Sequence, residues 1–361
     1  MKKILIIGIN TFLLLLIVNF LIYFFPHKLI NQKYITKNLA DKLGFKYNVF
    51  YNNTYNRNIN EIKNYTIFVG DSYVWGAGEA RSDSQYSFGI AHFFKSIYPD
   101  MDFFQVGIPA GAYAFQEKML ENIVRHINNK PKKLYIFFYE GNDFYDEISF
   151  QLKTKSEIYL KNLKFNLYNY FPIFADVSMY IYHQFKRFKE LFKSKSRNKI
   201  SDFYSNSTVN DFKNEIFVDK KKLIVNNYIQ NACANINENQ TNKFKYSLTK
   251  YLETLKEKYP ESEKIFVYIP SPASIYEHEK IYSVDWLKYE NTNFSYNESL
   301  ECHKIALKLV SEIVNNSQIL FFNSTPELKK ISRKKLIHGI KDINHFNYEG
   351  YRIFVKILDE I

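Results

Sequence analysis

Five short apolar runs, separated by longer stretches of helical periodicity, limit what this chain can fold into more than any other feature. They fall at residues 66–69, 103–106, 134–139 (LYIFFY), 265–269 (IFVYI) and 319–322. Each is continuously apolar rather than alternating, the pattern of a strand covered on both faces. The first four close on turn formers: Gly70, Gly107, the Glu140-Gly141 pair and Pro270. Helical spacing occupies 86–96, 113–127, 245–258, 300–314 and 348–358. Strand-helix alternation of this kind predicts a parallel, doubly wound sheet with right-handed crossovers. Ligands of such sheets sit outside the carboxyl ends of the strands, which is where candidate residues are sought.

The rest of the chain departs from this rhythm in two places. Residues 4–25 carry no charged side chain, a run long enough to cross about 30 Å of hydrocarbon as a helix. It is longer than a cleavable signal core and lacks a small-x-small cleavage site. Residues 1–26 therefore read as an uncleaved signal anchor. Lys2 and Lys3 favour an inside N-terminus and an exported remainder, while Lys28 and Lys33 weaken that bias. Residues 27–62 read as a polar stalk, and 63–361 as the soluble domain. Within that domain, residues 150–241 are too long for a loop and are expected to form an inserted helical subdomain or lid. There Val177, Ile181, Phe185, Phe188 and Phe192 recur at helical spacing beside a cluster of Lys and Arg. Such a helix either lies on an anionic surface or packs its stripe on the core beneath a solvated basic face.

With 46% hydrophobic residues the chain has ample material for a core, which excludes a disordered polymer. Lys and Arg exceed Asp and Glu by 49 − 37 = +12. The excess is spread along the chain and no nucleic-acid-binding motif accompanies it, so surface solvation accounts for it better than nucleic acid does. Cys233 and Cys302 are too few for a disulfide scaffold and form no CxxC pair. They are either one bridge in an oxidising compartment or two free thiols.

Three motifs stand at predicted strand ends. Gly70-Asp71-Ser72 follows the first strand. A serine opening a helix there suits a nucleophile, because backbone N–H groups favour developing negative charge, and it serves equally as an N-cap. Gly141-Asn142-Asp143 follows the third strand; its amide suits an oxyanion donor, or simply a turn. Near the C-terminus stands Asp342-Ile343-Asn344-His345. This D-x-x-H spacing orients a carboxylate onto imidazole Nδ1–H, freeing Nε2 to take a hydroxyl proton. A surface ion pair has the same spacing. A metal site is disfavoured, since only His338 offers another local ligand.

In this order, on these elements, the three motifs resemble the SGNH (GDSL) hydrolase superfamily over about residues 66–150 and 241–361. The spacing from His345 to Gly350 resembles the family's H-x-x-x-x-G. The resemblance implies a flavodoxin-like three-layer α/β/α sandwich with a five-stranded parallel sheet. It implies Ser72 as nucleophile, His345 as base and Asp342 as its orienting carboxylate. The oxyanion hole would be the Ser72 N–H, the Asn142 amide and the N–H of Ala110 or Gly111, with no cofactor or metal. Two positions depart from the pattern: Glu140 stands where the family has glycine, and Ala110 stands at the oxyanion glycine unless the block shifts to Gly111.

The wider context, Ser72-Tyr73-Val74-Trp75-Gly76 with Ile269-Pro270-Ser271-Pro272, resembles a membrane-tethered bacterial branch associated with cell-surface polysaccharides and O-acetyltransferases. It implies a serine esterase or O-acyltransferase outside the cytoplasmic membrane. The substrate would be O-acetyl groups of a glycan, and the partners the membrane and cell-envelope polysaccharide machinery rather than nucleic acid. The competing expectations are a lipid or thioester hydrolase and a non-catalytic glycan-binding protein that keeps the fold.

Overall fold

In the computed structural model of the protein, the described residues are 62–76, 89–107, 112–127, 129–151, 212–232, 238–285, 290–340 and 342–361, with positions 10, 11, 13, 14 and 17. The chain divides into two units, 1–47 with 153–197, and 48–152 with 198–361. Every strand below belongs to the second. The expected anchor (apart from the few helical positions just named), the stalk up to 61, residues 152–211 of the expected insertion, Ala110, Gly111 and Cys233 lie outside the described residues. Among the described residues no helix is long and apolar enough to cross a membrane.

The five apolar runs form one parallel sheet. Its strands are β1 (Tyr65–Gly70), β2 (Asp102–Gly107), β3 (Lys133–Tyr139), β6 (Glu263–Ile269) and β9 (Leu320–Asn323). Their order is β2-β1-β3-β6-β9. Counting only these strands, that is the doubly wound order 2-1-3-4-5, with its reversal between β1 and β3. All four pairings are parallel, and β1 lies in register with β2 from Tyr65↔Asp102 to Gly70↔Gly107.

The continuous apolarity has the expected cause. In β3, Tyr135, Phe137 and Tyr139 enter one core, while Leu134, Ile136 and Phe138 enter the other. The first core is closed by α2 (Gly89–Ile97), α8 (Thr325–Ser332) and α9 (Tyr348–Asp359). The second is closed by α3 (Tyr113–Ile127), α5 (Glu238–Lys258) and α7 (Tyr296–Asn316). Burying a residue such as Phe68 or Phe266 on either face contributes about 1.5–3 kcal/mol each. Helix α7 starts with a reciprocal capping box between Ser295 and Glu298, the S-x-x-E signature readable in the sequence. The four-residue helices α1 (Ser72–Trp75) and α6 (Pro272–Ile275) follow β1 and β6, and α4 (Asp143–Gln151) follows β3.

Two hairpins lie outside the alternation: β4 (Asn214–Val218) with β5 (Lys221–Val225), and β7 (Lys280–Asp285) with β8 (Glu290–Ser295). The first falls in the expected helical insertion, yet Ile216, Val218, Val225 and Ile229 join the first core. Within that insertion, residues 214–225 form a hairpin packed on the domain. Its two-residue turn uses Asp219 and Lys220, both at positive φ (50° and 60°), which the right-handed strand twist favours and which glycine or asparagine usually supplies. Cys302, on α7, is disulfide-bonded.

Candidate active site

The reversal of strand order places the ends of β1 and β3 side by side, and two of the three motifs stand there. Gly70 ends β1 in a space where a Cβ would lie 2.8 Å from Val74 and 2.9 Å from Phe137, so glycine permits the chain to turn sharply against β3. Asp71 caps α1 by accepting from the Tyr73 backbone N–H at 2.9 Å. The four-residue α1 closes on Gly76 at φ 87°. It is too short to supply the helix dipole that a serine at a helix start suggests; Ser72 is placed by the turn itself.

The third motif arrives on the loop between α8 and α9. Asn347 fastens that loop: it caps α9 by accepting from the Gly350 N–H, and its amide donates to the carbonyls of Leu336 and His338. Inside the loop, Gly339 N–H donates to the His345 carbonyl, and His345 N–H to the Asp342 carbonyl. The Tyr73 hydroxyl donates to the Asn344 carbonyl at 2.6 Å, and Tyr351 donates to the Tyr73 carbonyl. The rings of Tyr73 and Phe346 pack edge to face at 4.9 Å, and Tyr73 lies 5.2 Å from the His345 ring.

The outcome is a relay. Ser72 Oγ lies 2.7 Å from His345 Nε2, and His345 Nδ1 lies 2.9 Å from Asp342 Oδ2. All three side chains are buried, with Ser72 6% exposed. The predicted Ser72, Asp342 and His345 are thus brought together in one line. Asn142 stands in the turn after β3; its Nδ2 donates to Asp146 Oδ2 at 2.7 Å, and its Oδ1 is buried without a partner. Gly107 and Ala112 bracket the undescribed segment that holds Ala110 and Gly111.

Several groups that motif reading gave no role stand around this line. Asp71 Oδ2 lies 3.0 Å from Ser72 Oγ. Burial pushes its carboxyl above the usual range, against the opposing pull of the Tyr73 N–H and the His345 charge. Asp143 is raised further, by burial and then by Asp71. His338 is driven down to about 3 by burial and by His345, so it is neutral beside the triad. Glu140 is wholly buried and accepts from Tyr268, Ser271, Ser274 and, at 2.5 Å, His303. Asn344, between Asp342 and His345, donates to the Tyr228 carbonyl and accepts from Gln230 N–H, tying the loop to the strand exit of the β4–β5 hairpin. Asp71 was visible inside Gly-Asp-Ser; no local signal marks Asn344, His338 or the donors around Glu140. Among the described residues no group of three or more His, Cys, Asp or Glu side chains is placed to hold a metal ion.

No family model matches the chain, and no curated protein matches it. Among solved structures it is similar to a lipase/acylhydrolase from Enterococcus faecalis, at 11% identity over 83% of this chain and 94% of that one, TM-score 0.38. It is similar to an extracellular lipase from Streptomyces rimosus, at 10% identity over 82% and 99%, TM-score 0.42. It is also similar to an acetyl-xylooligosaccharide esterase from Geobacillus, at 10% identity over 84% and 95%, TM-score 0.35. At such scores the likeness carries no argument, and the function is read from the geometry of the chain's own side chains.

Proposed function

We propose that the chain is a serine esterase of the SGNH type that cleaves or transfers acyl groups, foremost O-acetyl groups of an extracytoplasmic glycan. The observation that carries the reading is the buried relay from Ser72 Oγ through the His345 ring to Asp342 Oδ2, at 2.7 and 2.9 Å. Asp342 accepts from Nδ1–H and fixes the tautomer with a bare Nε2. As Ser72 Oγ attacks an ester carbonyl, its proton passes to Nε2, and His345 later returns it to the leaving alkoxide. The second Asn142 amide hydrogen and the Ser72 N–H steady the oxyanion, each such donor being worth about 10²–10³ in rate. Water or a sugar hydroxyl then attacks the acyl-serine, giving hydrolysis or transfer.

The near-complete burial of Ser72 favours a small acyl group over a long chain. An anchored, exported arrangement is supported by the uncharged run at 4–25, by the exposure of the helical Leu13, Leu14 and Ile17, and by the disulfide at Cys302, a bond of oxidising compartments. Envelope polysaccharide machinery is the partner this location would supply.

The test is turnover of para-nitrophenyl esters of increasing chain length by the full chain beside Ser72→Ala, with fluorophosphonate labelling of Ser72. Turnover that peaks at acetate and vanishes in the variant is expected, and an added glycan acceptor then separates transfer from hydrolysis. A peak at long chains identifies a lipid hydrolase instead. Equal background rates with no labelling identify a binding protein.

A further inference from the structure

Hydrogen counting at Ser72 leaves one contact without a donor. Ser72 Oγ carries a single hydrogen and faces two groups, His345 Nε2 at 2.7 Å and Asp71 Oδ2 at 3.0 Å. Neutral imidazole holds its hydrogen on one nitrogen. His345 Nδ1 sits against the Asp342 carboxylate, which only accepts, so the hydrogen is on Nδ1 and Nε2 is bare. The Ser72 hydroxyl is then committed to Nε2. An ionised Asp71, 1% exposed, would meet Oγ lone pair to lone pair at a direct 3.0 Å. A hydrogen on Asp71 Oδ2 turns the same 3.0 Å contact into a bond.

We propose that Asp71 is a further catalytic residue, kept as a neutral carboxylic acid whose Oδ2–H donates to the nucleophile Oγ. The proposal rests on the esterase reading for its catalytic part, and on the contact geometry for its proton. Around Oγ the tetrahedron is then complete: Cβ, the hydrogen bound for Nε2, the Asp71 donor, and one lone pair left for the acyl carbon. In acylation the Oγ–H proton goes to Nε2, the Oγ–C bond forms and the carbonyl electron pair moves to its oxygen. Asp71 keeps its own proton throughout. In deacylation its donor steadies Oγ as the C–Oγ bond breaks and His345 returns the proton.

Burial, the largest influence on Asp71, favours the neutral form, against the backbone N–H groups of Tyr73 and Ser72, which favour the charged one. Asp143 on α4 faces Asp71 as a second buried carboxyl, and two such groups do not ionise together at low cost. The phenols of Tyr73, Tyr113 and Tyr139 also face it and are themselves held neutral by burial. His345 faces it as well, as the neutral ring whose Nδ1–H goes to Asp342. Asp143 Oδ2 accepts from Tyr139 N–H. Asp71 Oδ1 likewise accepts from Tyr73 N–H, but its Oδ2 stands against an oxygen whose hydrogen is spent, which places the proton on Asp71.

The experiment compares the full chain with Asp71→Asn, Asp71→Ala and Asp143→Asn, from acid to alkaline pH, in ester turnover and in denaturant unfolding. Asparagine reproduces the neutral acid: its oxygen accepts from Tyr73 N–H and its amide donates to Oγ. Asp71→Asn is expected to lose less than about 10-fold in kcat and Asp71→Ala about 100-fold or more, the scale of a lost transition-state donor. The wild type is expected to lose turnover as pH rises through the raised ionisation of Asp71, and Asp71→Asn is not. The raised carboxyl makes the folded state bind its proton more tightly than the unfolded state. Wild-type stability therefore falls as pH rises from the ordinary carboxylate range through the folded pKa, and this slope is absent in Asp71→Asn. Turnover in Asp71→Asn as low as in Asp71→Ala overturns the proposal, because it shows that an ionised Asp71 is required. A stability slope removed by Asp143→Asn but kept in Asp71→Asn overturns it too, by placing the proton on Asp143. A wild type that neither turns over ester nor labels at Ser72 refutes the esterase reading alone, and the unfolding slopes then decide the Asp71 proton by themselves.

Discussion

At the scale of single residues, the relay depends on which atom holds which hydrogen. Asp342 matters because its Oδ2 takes the Nδ1–H of His345 at 2.9 Å. Asp342→Asn keeps the shape and presents an amide that stabilises the wrong tautomer, so kcat is expected to fall by about 10⁴ with little change in KM; steady-state ester kinetics check this. Asn142 is itself oriented, since one amide hydrogen goes to Asp146. The proposed oxyanion role is therefore left to the other hydrogen, and Asn142→Ala is expected to cost about 10²–10³ in kcat. Unchanged ester kinetics in that variant would remove Asn142 from the oxyanion hole.

At the scale of elements, the loop that carries Asp342 and His345 is held from outside itself. A Cβ on Gly350 would come within 2.0 Å of the Ile337 carbonyl oxygen, so the first turn of α9 can lie against the loop only with glycine there. Gly350→Ala is expected to push the loop off α9 and lower both stability and Ser72 labelling by fluorophosphonate. Asn344 provides the second fastening, to Tyr228 and Gln230 beyond the β4–β5 hairpin. Asn344→Ala deletes two partly buried hydrogen bonds, a loss of about 2 kcal/mol, measurable by denaturant unfolding. Because the deleted bonds adjoin His345, kcat is expected to fall with KM nearly constant; a stability loss with unchanged kcat would make Asn344 a structural residue only.

At the scale of the whole molecule, Glu140 ties β3 to β6 and α7. Its burial alone would raise its pKa, but the charge of His303 and the bonds from His303, Ser274 and Tyr268 outweigh that and hold it below its ordinary 4.5. A lowered carboxyl contributes stability above its unfolded pKa and loses it as pH falls through the folded value. Glu140→Gln breaks the pair and is expected to cost about 3–5 kcal/mol near neutral pH. Unfolding measured against pH is expected to show that deficit shrinking as pH falls through and below the ordinary carboxylate range. A deficit that grows with acidity would show that Glu140 is not the charged partner.

The sequence by itself determined the layers and the residues of the candidate site. Strands buried on both faces must be continuously apolar, so LYIFFY and IFVYI declared a two-sided parallel sheet, and the turn residues after each run located its carboxyl edge. The three motifs then named Ser72, Asn142, Asp342 and His345. The hairpins escaped notice because β4–β5 and β7–β8 are short and mixed in polarity, and the Asp219-Lys220 turn reaches positive φ without the glycine that usually signals it. Only the tertiary structure decided the partnerships. Ser72 meets His345 across 273 positions, Glu140 meets His303 across 163, and Asn344 meets Tyr228 across 116. Local periodicity records which face of an element is buried. It does not record which distant polar group arrives there, because that depends on chain crossovers and on the need of each buried donor and acceptor for a partner.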